Sequence, residues 1–170
     1  MAPKGSAFLY TRTEAQPLIK PLVVSWGFRA NQATTLGSTY LDILEYTGTR
    51  DPAASLSVPA AIQFQQENYW DDVGANCHQL LAWAIDEINE LTGLQPLYPA
   101  GSDSFYQMAT VAIPTVSDLQ TFKNHLSDKF KIEIPCIEWD KRIFLRISVQ
   151  GYNTQTDLDT LVSAVKEYFL

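Results

Sequence analysis

Cysteine is scarce. Cys77 and Cys136 are the only 2 in 170 residues, and they lie far apart. Two such thiols do not make the disulfide framework of a small secreted domain, and they fit a reducing cytoplasm. Basic charge is also short: 12 Lys and Arg stand against 19 Asp and Glu, giving a net charge of −7 and a pI near 4.7. This balance excludes nonspecific nucleic-acid binding, which needs a basic surface to release counterions, and it excludes an anionic membrane surface as partner. No apolar run reaches the roughly 18 residues that cross a bilayer. The first residues lack the basic segment, apolar core and cleavage site of a secretory signal. No repeated glycine loop of the Walker or dinucleotide type occurs. Cys77 and His78 are neighbours on an expected helix, so their side chains diverge and make no two-ligand metal face.

What is present is enough for one well-buried domain and a small appendage: 19.1 kDa, 46% apolar and 18% charged, the proportions of a soluble globular protein. The most informative stretch is RIFLRISVQGYN at 142–153. Ile143, Leu145, Ile147 and Val149 alternate with Phe144, Arg146 and Ser148, the period of a half-buried strand. One face is aliphatic, and the other carries a guanidinium between a ring and a hydroxyl. An arginine there must find an anion or reach water, because an unpaired buried charge costs several kcal/mol. Its planar fork suits a carboxylate. That carboxylate belongs either to a ligand or to an internal Asp or Glu, and solvent is the third option.

The second informative stretch is YTGTRDP at 46–52. Gly48 permits backbone shapes that other residues resist. Thr47, Thr49 and Arg50 bring hydroxyls, amide N–H groups and positive charge together, and Asp51 with Pro52 opens a helix. Converging donors of this kind suit a phosphate. They also make an ordinary loop-to-helix junction.

Along the chain, residues 6–12 (SAFLYTR) are expected to form a strand, 17–21 an extended connector between two prolines, 23–28 a short apolar run, and 31–38 a loop. A helix should run from 52 to about 68, kinked or split at Pro59. The clearest helix spans about 69–92. Its stripe is Cys77, Leu80, Leu81, Ala84, Ile85, Ile88 and Leu91, and Gly93 stops it. After a loop at 94–104 come a strand at 105–114, then a helix opened by a Thr115/Asp118 capping box and burying Val116, Leu119, Phe122 and Leu126, with His125 on the surface. A strand at 131–137 with a bulge or edge at Pro135, a tight turn at 139–141, the arginine strand, and a last helix capped by Thr154 and Asp157 complete the chain. The simplest compact solution is α+β: a largely antiparallel sheet with helices packed on one face.

Taken together, APKGSAFLY at 2–10, PLVVSWGF at 21–28, YTGTRDPAASLSVPAAIQF at 46–64 and FLRISVQGYNTQTDLDTLV at 144–162 resemble the C-terminal part of class V aminotransferases. These are pyridoxal-phosphate enzymes of fold type I, and the similarity is to their isopenicillin N epimerase-like branch. It covers nearly the whole chain. APKG and RIS recur widely in the superfamily, and GTRDP followed by VPAAI is more specific to the branch. The resemblance implies that residues 46–170 are the small C-terminal domain and 1–45 a remnant of the large cofactor-binding domain with its connector. It implies that Arg146 binds the substrate's α-carboxylate. It implies that Gly48 and Thr49 contribute to the cofactor-phosphate site of a neighbouring subunit in a dimer.

One departure matters. In the family the Schiff-base lysine lies a few residues before APKG, ahead of Met1. The aspartate that partners the pyridine nitrogen and the aromatic residue that stacks on the ring also lie upstream. Lys4 is the lysine of the PKG turn and is not the one that carries the cofactor. The expectation is therefore a truncated fragment, cytoplasmic, with pyridoxal phosphate and an amino-acid substrate belonging to the intact enzyme. No cofactor is expected covalently on this chain, no catalytic residue is assigned within it, and the isolated chain is expected to be silent. It should oligomerise through residues 1–45 or be partly disordered there, or pair with an upstream half-enzyme chain. A desulfurase is not implied, because Cys136 lies in an apolar strand rather than on a mobile loop. The alternative is a non-catalytic module that uses Arg146 to hold a small carboxylate or a partner's acidic side chain.

Overall fold

The computed structural model describes residues 2–28, 36–45, 47–99, 101 and 103–170. The chain divides into two compact units, Met1–Glu67 and Asn68–Leu170.

In the first unit, residues 6–12 form no strand. The composition is right for one, but strand structure needs a neighbouring backbone to pair with, and none is present among the described residues of this unit. Phe8, Leu9 and Tyr10 are exposed, Phe8 at 93%. Thr13–Leu18 is a 3-10 helix that includes Pro17, so the expected extended connector begins only at Ile19. Ser38 caps α1 (Thr39–Leu44), its hydroxyl accepting the Leu41 N–H at 3.2 Å. The apolar run 23–28 lies against that helix: Ser25 Oγ donates to the Asp42 carbonyl at 3.1 Å. A Cβ on Gly27 would stand 1.9 Å from the same carbonyl oxygen. The loop expected at 31–38 falls largely outside the described residues. The helix expected from 52 to 68 is split, as Pro59 requires, into α2 (Ala53–Leu56) and α3 (Val58–Glu67). The proline sits in the first turn of α3, where its missing N–H costs nothing.

The second unit carries the core. α4 (Trp70–Thr92) ends at Gly93, whose φ of 66° supplies the left-handed stop. Its buried face is Gly74, Cys77, Leu81, Ala84, Ile85, Ile88 and Asn89. Leu80 and Leu91 are only half-buried, at the margins of the stripe. Three antiparallel strands follow: β1 (Met108–Ile113), β2 (Cys136–Trp139) and β3 (Arg142–Ser148), in the order β1-β3-β2. β2 and β3 are joined by Asp140 and Lys141, both with positive φ (48° and 59°), the mirror-image turn that matches strand twist. β2 is shorter than the sequence suggested. Pro135 has no N–H to give, so only its carbonyl joins the ladder, accepting the Arg146 N–H at 3.0 Å, and residues 131–134 leave the sheet.

α5 (Leu119–Asn124) is capped three residues later than the expected box would have it. Asp118 itself is the cap and accepts the Gln120 and Thr121 N–H groups. A carboxylate reaches two donors where Thr115 would reach one. The helix continues as a π-helical turn over His125–Lys129. His125 is half-buried rather than fully on the surface. It lies between the rings of Phe130 and Tyr168, with Nε2 buried and 3.7 Å from Glu167. α6 (Gln155–Phe169) opens with the expected Thr154/Asp157 capping box. α4 and α6 pack together under the sheet against Val111, Ile143, Leu145 and Ile147. The α+β architecture, with an antiparallel sheet and its helices on one face, is as expected.

Candidate functional site

β3 lies between its two partners, so its backbone is fixed from both sides. Ile143, Leu145 and Ile147 point into the core, which sends Phe144, Arg146 and Ser148 to the opposite face. Phe144 is buried there, with the Arg142 guanidinium 5.0 Å from its ring centre. Arg146 and Ser148 are exposed. Among the described residues the ion pairs are His125–Glu167 and Lys129–Glu167, and Arg146 takes no carboxylate partner. Its guanidinium is therefore neither buried nor committed.

Where β2 ends, a cleft of about 470 Å³ opens beside Arg146. Its walls are the 131–135 segment, the Arg146–Ser148 end of β3 and the first half of α6. Asp157 lines it too, but its carboxylate is occupied: it accepts the Thr154 N–H at 2.8 Å and the Thr154 hydroxyl at 3.2 Å. Lys131 Nζ donates to the Asp128 carbonyl at 2.7 Å. A carboxylate brought to Arg146 from outside meets an uncommitted fork of donors.

On the same face, Thr110 of β1 stands directly opposite Arg146. The Tyr98 hydroxyl lies 3.2 Å from Thr110 Oγ1 and accepts the Thr110 N–H at 3.1 Å. Tyr98 thus covers an N–H on the outer edge of β1. Sequence pattern alone missed both residues. Thr110 reads as one more strand residue and Tyr98 as loop, and only the strand register brings them to Arg146.

In the first unit, Gly48 and Thr49 share one loop. Gly48 has φ 137°, a conformation that L side chains rarely adopt, and among the described residues nothing lies within 4 Å of where its Cβ would be. Thr47, Thr49 and Arg50 are exposed, and the Arg50 guanidinium donates to the Glu45 carbonyl at 3.4 Å. Asp51 accepts the Ala53 N–H at 2.8 Å and so serves the following helix. Thr47 also borders an open hollow of about 310 Å³ with Val24, Ser25, Trp26 and Phe28. A glycine in a backbone shape closed to other residues, beside exposed hydroxyls and a guanidinium, fits a phosphate-sized anion by the chemistry of its donors. Among the described residues no group of His, Cys, Asp and Glu could hold a metal, and no helix is long and apolar enough to cross a membrane. Burial pushes the Cys136 thiol above its usual range, with Lys123 drawing it down by less. This leaves Cys136 as inert as its place in a strand suggests.

No family model matches the chain. Two curated relatives do, both isopenicillin N epimerases. The one from Amycolatopsis lactamdurans is 32% identical over 174 residues, covering 98% of this chain and 44% of its own length. The one from Streptomyces clavuligerus is 28% identical over 173 residues, covering 97% and 44%. The chain thus spans less than half the length of the relatives it matches. Among solved structures, 8-amino-7-oxononanoate synthase from Francisella tularensis superposes with a TM-score of 0.53 at 18% identity, over 75% of this chain and 35% of that one. This likeness is one of fold. The resemblance read from the motifs therefore holds along the whole chain: it matches part of a class V aminotransferase-like protein of the isopenicillin N epimerase branch.

Proposed function

We propose that this chain is the C-terminal segment of a pyridoxal-phosphate enzyme of the class V aminotransferase type, in which Arg146 binds the α-carboxylate of an amino-acid substrate. The observation that carries this is an exposed guanidinium on the central strand, free of any internal carboxylate among the described residues and bordering a cleft. The identity to isopenicillin N epimerases over 98% of the chain supports it. Pyridoxal phosphate, when bound, supplies an electron sink at the substrate carbon, and the protein supplies binding and orientation. Arg146 orients: two parallel hydrogen bonds to a carboxylate fix both the position and the rotation of the acid. Gly48 and Thr49 hold a phosphate oxygen through backbone and hydroxyl donors, in the site of a neighbouring subunit of a dimer. Residues 1–45 belong to the large domain and 46–170 to the small one, in a cytoplasmic enzyme. Lys4, the lysine of the PKG turn, is not the one that carries the cofactor.

Calorimetric titration with amino acids and 2-oxo acids tests the carboxylate site. Binding should fall roughly 10- to 100-fold in Arg146→Ala, the value of hydrogen bonds to a charged group. Equal binding by the variant removes the assignment. Borohydride reduction after mixing with pyridoxal phosphate tests the second part. A stable adduct at one defined lysine, with turnover of an amino acid, would show that the chain is an enzyme on its own.

A further inference from the structure

We infer that the Thr110 hydroxyl is a second donor of the carboxylate site, held in place by Tyr98. This rests on the reading of Arg146 given above. Directly opposed residues of an antiparallel pair share a face, with Cβ atoms about 5 Å apart, and Thr110 and Arg146 are such a pair. The hydroxyls of Thr110 and Tyr98 bring two O–H protons. The Tyr98 oxygen already accepts the Thr110 N–H. One of the two protons closes the 3.2 Å bond between the hydroxyls. With Tyr98 donating to Thr110 Oγ1, the Thr110 O–H remains unspent, and the pair has no third partner among the described residues.

A half-buried pair with a leftover donor beside an uncommitted guanidinium is matched by an acceptor-only group. A carboxylate has two oxygens with about four lone-pair sites. Arg146 occupies one on each oxygen, and the leftover O–H takes another. The site therefore favours a planar acid over an amide, which would present N–H groups to the same donors. Thr110 binds the ligand. Tyr98 is a positioning residue, tied both to the backbone of β1 and to the hydroxyl it orients.

The probe is pyruvate, with L-alaninamide as the control lacking a carboxylate, titrated into the whole chain and followed by the NMR shift of the Arg146 Nε–H. Wild type should bind pyruvate and not alaninamide, and Arg146→Leu should lose binding. Thr110→Val, which keeps the shape and removes the hydroxyl, should weaken binding about tenfold, and Thr110→Ser should restore most of it. Tyr98→Phe should weaken binding by a few-fold without abolishing it. Rescue by serine separates a donor from a packing role, and Tyr98→Phe decides the matter if Thr110→Val does not fold. Binding that is lost in Arg146→Leu but unchanged in Thr110→Val and Tyr98→Phe overturns this inference and leaves the arginine site standing. Binding that is absent in wild type, or equal in Arg146→Leu, overturns both.

Discussion

Asp118 shows how much a single side chain can fix. Its carboxylate accepts from the Thr121 hydroxyl and from the Thr121 and Gln120 N–H groups, and these bonds, in that order, hold it below the usual carboxylate value of 3.8. A carboxyl depressed by folding stabilises the native state above its unfolded value, and that contribution fades as pH falls through the folded one. Asp118 is fully exposed, so the effect is small and screened by salt. Asparagine keeps one acceptor oxygen in place of two and does not titrate. The urea midpoint should therefore fall further in acid for wild type than for Asp118→Asn, with the two closest in acid. Parallel acid profiles would show that the cap bonds do not require the charge.

Among the elements, α4 was the most legible in sequence, because a stripe of apolar residues at helical spacing and a terminal glycine leave one solution. Gly74 was not legible. It lies mid-helix, and the Tyr106 hydroxyl fills the place of its missing side chain, 2.2 Å from where a Cβ would stand. Gly74→Ala gains about 1 kcal/mol of helix propensity and loses about 1–3 kcal/mol by overpacking. Thermal unfolding should show net destabilisation, and Tyr106→Phe in the same background should recover part of it by relieving the contact. A more stable Gly74→Ala would mean that Tyr106 swings away freely. The same logic separates the strands. β3 announced itself by alternation, whereas the strand expected at 6–12 failed because pairing is a property of two segments and sequence shows one at a time. Arg146 was legible as a charge with a question attached. Thr110 and Tyr98 were not, since their meeting depends on register and on a loop.

At the scale of the molecule, the buried apolar side chains among the described residues all lie in residues 77–165, and the buried polar side chain among those of the first unit is Ser25. Burial is the main source of stability, so the first unit contributes little of its own. Hydrogen exchange should find the slowest amides in α4, β1, β3 and α6 and rapid exchange throughout 2–28. Slow exchange in 2–28 that disappears on dilution would instead show that a second copy covers Phe8, Leu22 and Trp26. β3, hydrogen-bonded along both edges and sealed beneath by two helices, is among the last parts of the protein to open. A side chain rooted there keeps its address through every motion short of global unfolding. Selectivity can then be retuned by exchanging the irregular segments at 97–99 and 131–135, while the post to which an acid is moored stays where it is.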